Sequence, residues 1–186
     1  MNYLILLFYI IQRLSEIWIN SRNEIQLKLK YRAVVVDPNE VKIMKLFHVL
    51  WFFSLLTESV YHGRIAPNYL EIPIVILLLL AQAIRFHTIK TLGEFWTVQI
   101  YRIENLPLVT NRGLYRFIRH PNYLAVLIEF FFLPLLLGCH FTMVAGFLLN
   151  LFILKRRIEL EEATLSSTSS YQNAFKDKKR FIPKLF

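Results

Sequence analysis

Five apolar runs separated by basic stretches constrain this chain more than any other feature. They are Leu4–Ile19, Leu46–Tyr61, Ile72–Phe86, Tyr123–Leu137 and Cys139–Leu154, each 15 or 16 residues long. An upright helical span needs about 17–25 residues, so the runs are slightly short. Length alone leaves two readings, core helices of a soluble bundle or short membrane spans. The charges decide between them. With the N-terminus threaded outside, residues 21–45, 85–119 and 155–184 face the cytoplasm and hold 20 of the 22 Lys and Arg. Arg13 lies within a run, and only Arg64 falls outside. Basic loops collect on the cytoplasmic side of membrane proteins, whereas a soluble bundle has no reason to alternate its charge. The expected fold is all-α: one polytopic membrane domain, residues 1–186, with about five short transmembrane helices and a cytoplasmic cofactor pocket.

Composition agrees. Hydrophobic residues make up 55% of the chain, above the usual share of a soluble domain. The net charge of +9 does not point to nucleic acid, because a nucleic-acid stripe would not sit between apolar runs. Anionic lipid headgroups fit it better. Cys139 is the only cysteine and the five histidines are scattered, so no disulfide and no metal site is expected. The first run is expected to stay in the mature protein: no basic residue precedes it, Arg13 and Glu16 interrupt it, and no small-x-small cleavage site follows. The five glycines never form Gly-x-Gly, which excludes a Rossmann fingerprint and a P-loop.

The chemistry-bearing residues gather in two places. The first is Gly113-Leu114-Tyr115-Arg116-Phe117-Ile118-Arg119-His120-Pro121-Asn122-Tyr123, leading into the fourth run. Pro121 suits a first helical position, which leaves free N–H groups and a positive dipole end beside Arg116, Arg119 and His120. That is an anion site, or else the arginines anchor the helix at headgroup level. The second is Lys155-Arg156-Arg157-Ile158-Glu159-Leu160-Glu161-Glu162, which continues the fifth run out of the membrane. Arg157 and Glu161 share a face. A hairpin between the last two runs, turning at Gly138, sets the two clusters opposite each other. Leu165–Ser170 reads as a flexible joint, and the Lys- and Phe-containing tail after it as a segment on the membrane surface.

Arg119-His120-Pro121-Asn122-Tyr123, followed by Arg157 and Glu161-Glu162, resembles the signature of isoprenylcysteine carboxyl methyltransferases and their phospholipid-methylating relatives. Leu92-Gly93 with Trp96, Leu108-Val109-Thr110 and the closing Phe181-Ile182-Pro183 extend the likeness to residues 80–185. Gln12-Arg13-Leu14-Ser15-Glu16 and Ser21-Arg22-Asn23 resemble a bacterial branch, which implies a bacterial cell membrane; the charge bias puts the C-terminus in the cytoplasm. One departure is Ala125, where many members have glycine. Sterol reductases share Arg-His-Pro-Asn-Tyr but follow it with Gly-Glu, where this chain has Ala125-Val126.

The resemblance implies S-adenosylmethionine as methyl donor. Arg119 and His120 suit its carboxylate, Tyr115, Tyr123 and Trp96 its sulfonium, and Glu161 or Glu162 its ribose or amino group; a wall of Leu106–Val109, with Leu108 and Val109, suits its adenine. Arg157 would hold or neutralise the acceptor. Arg13, Glu16, Glu58 and Glu129 lie within apolar runs, and such residues usually line a cavity or pathway, although Arg13 and Glu16 could simply neutralise each other. Read as a polar strip, they imply a lipophilic acceptor entering sideways from the membrane. A prenylated cysteine carboxylate or a long-chain alkylpyrone or alkylresorcinol hydroxyl would fit, with Glu129 the candidate base for a hydroxyl. An NADPH-dependent sterol-type reductase and a non-catalytic membrane scaffold are the alternatives.

Overall fold

The computed structural model describes residues 2–62, 68–104, 106 and 108–181. Arg64, its neighbours Gly63 and Pro67, and the closing Ile182-Pro183 lie outside them.

Each apolar run forms a helix, and most helices run well past it. They are α1 (Asn2–Tyr31), α2 (Pro38–His62), α3 (Asn68–Leu92), α4 (Pro121–Leu136) and α5 (His140–Thr168), with a one-turn α6 (Tyr171–Ala174). The expected length of 15 or 16 residues holds only for α4; α1 has 30 residues and α5 has 29. Polar turns with good helix formers extend the apolar runs, since nothing breaks the helix at the membrane border. Three helices, Leu4–Tyr31, Pro38–Tyr61 and Tyr69–Phe95, are long and apolar enough to cross a membrane, and Pro121–Leu136 is a shorter apolar helix. The fold is that of a polytopic helical membrane protein. The only strands among the described residues are β1 (Val34–Val35) and β2 (Tyr101–Arg102), a short antiparallel ribbon joining the α1–α2 connection to the loop after α3.

α4 forms the centre. It packs along α3 on one side and α5 on the other, and α2 covers α5. Lipid gives no hydrophobic drive between helices, so close packing must hold them. Phe130 of α4 is fully buried and stacks on Trp51, centroids 4.2 Å apart, and on Phe47 at 5.4 Å. Ala125, the departure from glycine, is also fully buried, so its methyl group is accommodated. The α4–α5 turn uses Gly138 at φ +71°, a left-handed value that a side chain would resist.

Several expectations change. Glu58 belongs to no polar strip: its carboxylate caps α5, accepting from the Phe141 and Thr142 backbone N–H groups at 2.9 and 2.8 Å. Leu165–Ser170 is no joint, because α5 stays helical to Thr168. The tail is not simply a surface segment. Arg119 and His120 donate backbone N–H bonds to Lys179 and Arg180, at 2.9 and 3.0 Å, and Ile118 bridges Lys179 in parallel. Arg85, counted among the cytoplasmic charges, points into the bundle and is 3% exposed.

Candidate active site

His120 stands just before α4 and Pro121 takes its first helical position, as expected from the missing N–H of proline. The His120 ring is buried, stacks on Tyr123 and meets Glu162 through Nε2 at 2.9 Å. Arg180 of the tail closes on the same carboxylate at 2.7 Å, and Arg119 lies 3.8 Å from it. Burial pushes the Glu162 carboxyl up, but hydrogen bonds from His120 and Arg180 outweigh it and bring the pKa down to about 2.

A second chain of contacts runs beside the first. Tyr123 donates its hydroxyl to Glu161, and Arg157 donates Nε to the same hydroxyl at 2.9 Å. Arg157 is 4% exposed and is held from the far side by Glu40 of α2, at 2.6 Å. Its remaining nitrogen donates to the Val98 carbonyl. That loop is fixed in turn by α1: Asn20 accepts from the Val98 N–H at 2.6 Å, and Asn23 donates to the carbonyls of Gly93 and Trp96 at 2.9 and 2.7 Å.

Part of this network borders a cavity of 690 Å³, within the range of about 300–1,000 Å³ typical of ligand sites. Tyr115, His120, Tyr123, Trp96, Arg157 and Glu161 all line it. Burial, with Glu161 and Tyr171 nearby, pushes the Tyr115 phenol above its ordinary value, so it stays neutral. Tyr115 is placed by the turn at Gly113 (φ +52°), where a Cβ would run into the His87 ring of α3. Arg119 and Glu162 do not line the cavity; they stand behind His120 and orient it. Leu106 borders the cavity, while Leu108 faces a separate depression with Thr110 and Ser169, and Val109 borders neither.

The cavity continues into the level of the apolar runs. Ile10, Leu14 and Ile17 of α1 and Val49 and Phe52 of α2 line it there. So do Arg13, Glu16 and Arg85. Arg13 pairs with Glu16 at 2.7 Å and with Glu129, and Arg85 pairs with Glu129 at 2.5 Å. Gln82 donates to the other Glu129 oxygen at 2.8 Å. Glu129 is fully buried behind this wall with both oxygens engaged.

Glu40, Arg85, Asn20 and Asn23 were missed in the sequence, because their partners lie 117, 44, 78 and 70 residues away. Gln12-Arg13-Leu14-Ser15-Glu16 and Ser21-Arg22-Asn23 were the signals that pointed to α1. Residues 74–167 match the model of the isoprenylcysteine carboxyl methyltransferase (ICMT) family, which covers just over half of the chain. The chain belongs to that family.

The Bacillus subtilis (strain 168) protein YpbQ, uncharacterised itself, is 28% identical over 169 residues, 91% of this chain and 99% of its own length. An uncharacterised Haemophilus influenzae protein is 30% identical over 136 residues, 72% of this chain and 77% of its own. Among solved structures, the eukaryotic intramembrane Ras methyltransferase ICMT shares the fold, with a TM-score of 0.62 at 20% identity over 81% of this chain. This ICMT-family chain spans 55% of that structure's length.

Proposed function

We propose that this protein is an S-adenosylmethionine-dependent O-methyltransferase acting on a lipophilic acceptor drawn from the membrane. The observation that carries the reading is one cavity with two characters. Its polar end gathers His120, Tyr115, Tyr123, Glu161 and Arg157, and its other end is walled by apolar side chains at membrane level. Family membership supports methyl transfer as the reaction.

The residues present fit the donor. Asn122 Oδ1 and Gln99 Oε1, both on residues of the cavity wall, are buried without a hydrogen-bond partner, as expected of groups that meet a polar ligand. When bound, S-adenosylmethionine supplies an electrophilic methyl group. Tyr115, Tyr123 and Trp96 are aromatic side chains on the wall that suit a sulfonium, a contact worth about 0.5–2 kcal/mol. The α4 N-terminus with His120 suits a carboxylate, and Glu161 suits an amino group or ribose hydroxyl. Glu162 and Arg119 act through His120.

Arg157 holds the acceptor oxygen at the cavity wall, and Glu161 takes the proton of a hydroxyl acceptor; a carboxylate acceptor needs no base. Glu129, the base expected from sequence, is better cast as the anchor of Arg13 and Arg85, since both its oxygens are taken. Alignment and exclusion of water supply most of the catalysis. Binding of S-adenosylhomocysteine to the detergent-solubilised protein, followed by transfer from labelled donor to a prenylated cysteine, an alkylpyrone or an alkylresorcinol, tests the proposal. Copurified NADPH, or transfer only to short water-soluble acceptors, refutes it.

A further inference from the structure

Along α5, Asn150, Leu154, Arg157, Glu161 and Leu165 form one stripe that lines the cavity from end to end. Their spacing of 4, 3, 4 and 4 residues keeps them on a single helical face. One turn beyond Asn150 the cavity stops. There Gly146 is packed against Trp51, whose ring would lie 2.6 Å from a Cβ at that position. Asn150 therefore stands at the blind, membrane-side end of the α5 wall.

Between Phe141 and Leu154 the helix is apolar except for Thr142 and Asn150. Thr142 is accounted for by Ser54 and Glu58. Asn150 is not: it is 1% exposed, and its Nδ2 donor has no hydrogen-bond partner. The wall residues next to it on α5, Ile153 and Leu154, are apolar, and α2 and α4 bring Val49, Phe52 and Val126 to the cavity along with His48. A buried amide with an unmade bond is costly at membrane depth, and polar groups there usually mark a ligand path.

We infer that Asn150 is a specificity residue, which donates a hydrogen bond to a second oxygen of the acceptor while the nucleophilic oxygen sits by Arg157. The inference rests on the proposed methyl transfer for the position of the nucleophile. Seven residues of helix separate the two Cα atoms by about 10 Å. The guanidinium and the amide each reach inward from those ends, so the oxygens they hold are several ångströms apart on one polar head. The preferred acceptor class is a long-chain amphiphile whose head carries two separated oxygens. A head with one oxygen leaves the amide unpaired.

The test uses a matched pair, a 5-alkylresorcinol and the corresponding 3-alkylphenol, which differ by one hydroxyl. Affinities for the full-length protein in detergent are measured by equilibrium dialysis, with and without the Asn150→Leu change. Leucine keeps the number and branching of the side-chain heavy atoms and removes the polar group. The wild type should bind the resorcinol ten- to a hundredfold more tightly than the phenol, and Asn150→Leu should erase that difference. S-adenosylhomocysteine affinity should stay within twofold, which verifies the fold. Equal preference in wild type, or a preference that survives in Asn150→Leu, overturns the inference. Methyl transfer is scored separately on the same samples, so failure of the reaction is distinguishable from failure of the subsite.

Discussion

Removing Glu40 should damage this protein more than removing any of its surface charges. Glu40 and Arg157 have side chains that are each 5% exposed, and their contact is 2.6 Å. Without the carboxylate, Arg157 keeps only neutral partners, the Tyr123 hydroxyl and the Val98 carbonyl, beside the more distant Glu161. Breaking one side of a buried pair typically costs about 3–5 kcal/mol, because the remaining charge stays desolvated. For a chain of this size each kcal/mol lowers the melting temperature by about 2–4 °C, so Glu40→Ala should melt on the order of 10 °C lower. Glu40→Gln keeps a hydrogen-bond acceptor and should lose less. The decisive assay is a double-mutant cycle with Arg157→Ala, read by thermal unfolding in detergent. The two changes should couple by at least about 1.5 kcal/mol, well beyond the additivity expected of independent sites. Additivity within about 0.5 kcal/mol would refute the pairing, and with it the view that α2 positions Arg157.

Three further outcomes follow from the structure. His120→Ala and Glu161→Ala should each weaken S-adenosylhomocysteine binding about ten- to a hundredfold, the loss of one charge-assisted contact. Lys179→Ala, whose side chain is exposed, should change it little; Lys178 is not a fair control, since its Nζ donates to the Thr110 carbonyl. The Glu162 carboxyl titrates lower in the folded protein than when unfolded, so its contribution to stability is present above about pH 4.5 and is lost as pH falls towards about 2. Thermal melts from pH 6 to 3 should show a decline that Glu162→Gln flattens, and an identical decline in both proteins would count against it. For orientation, external thiol labelling should reach a cysteine placed at Tyr69 and miss one at Arg112; buried Cys139 should not react in either case. Labelling of Arg112→Cys in intact cells would reverse the proposed topology.

The legible part of this fold is local. The apolar runs, the Pro121 helix start and the pairing of the His-Pro element with Glu161-Glu162 are all written within a few residues, or follow from a short hairpin. Six of the expected site groups, Trp96, Tyr115, His120, Tyr123, Arg157 and Glu161, line one cavity. What sequence could not show is partnership at a distance. No periodicity reveals that residues 179 and 180 pair beside residues 118–120, or that Glu40 reaches Arg157. Leu108 and Val109 fail for a related reason. A loop between helices has no face, so nothing in its sequence says which side chain turns inward.

The charges inside the membrane show how the same limit bears on mechanism. In sequence, Arg13, Glu16, Glu58 and Glu129 read as a polar strip, with Glu129 the candidate base for a hydroxyl acceptor. Glu58 caps α5 instead, Arg85 takes its place in the set, and the four side chains then sum to zero charge. A neutral quartet whose four carboxylate oxygens are all engaged has no proton acceptor to spare, but it has another use. α1 makes few close backbone approaches to the other helices, and lipid supplies no hydrophobic force to press it into place. Arg13 and Glu16 tie its middle to α3 and α4, while Asn20 and Asn23 tie its inner half to the loop at 93–98. α1 is thus held by polar contacts at the points where it walls the cavity. Those contacts fix the geometry of the wall without filling the space that the acceptor must occupy.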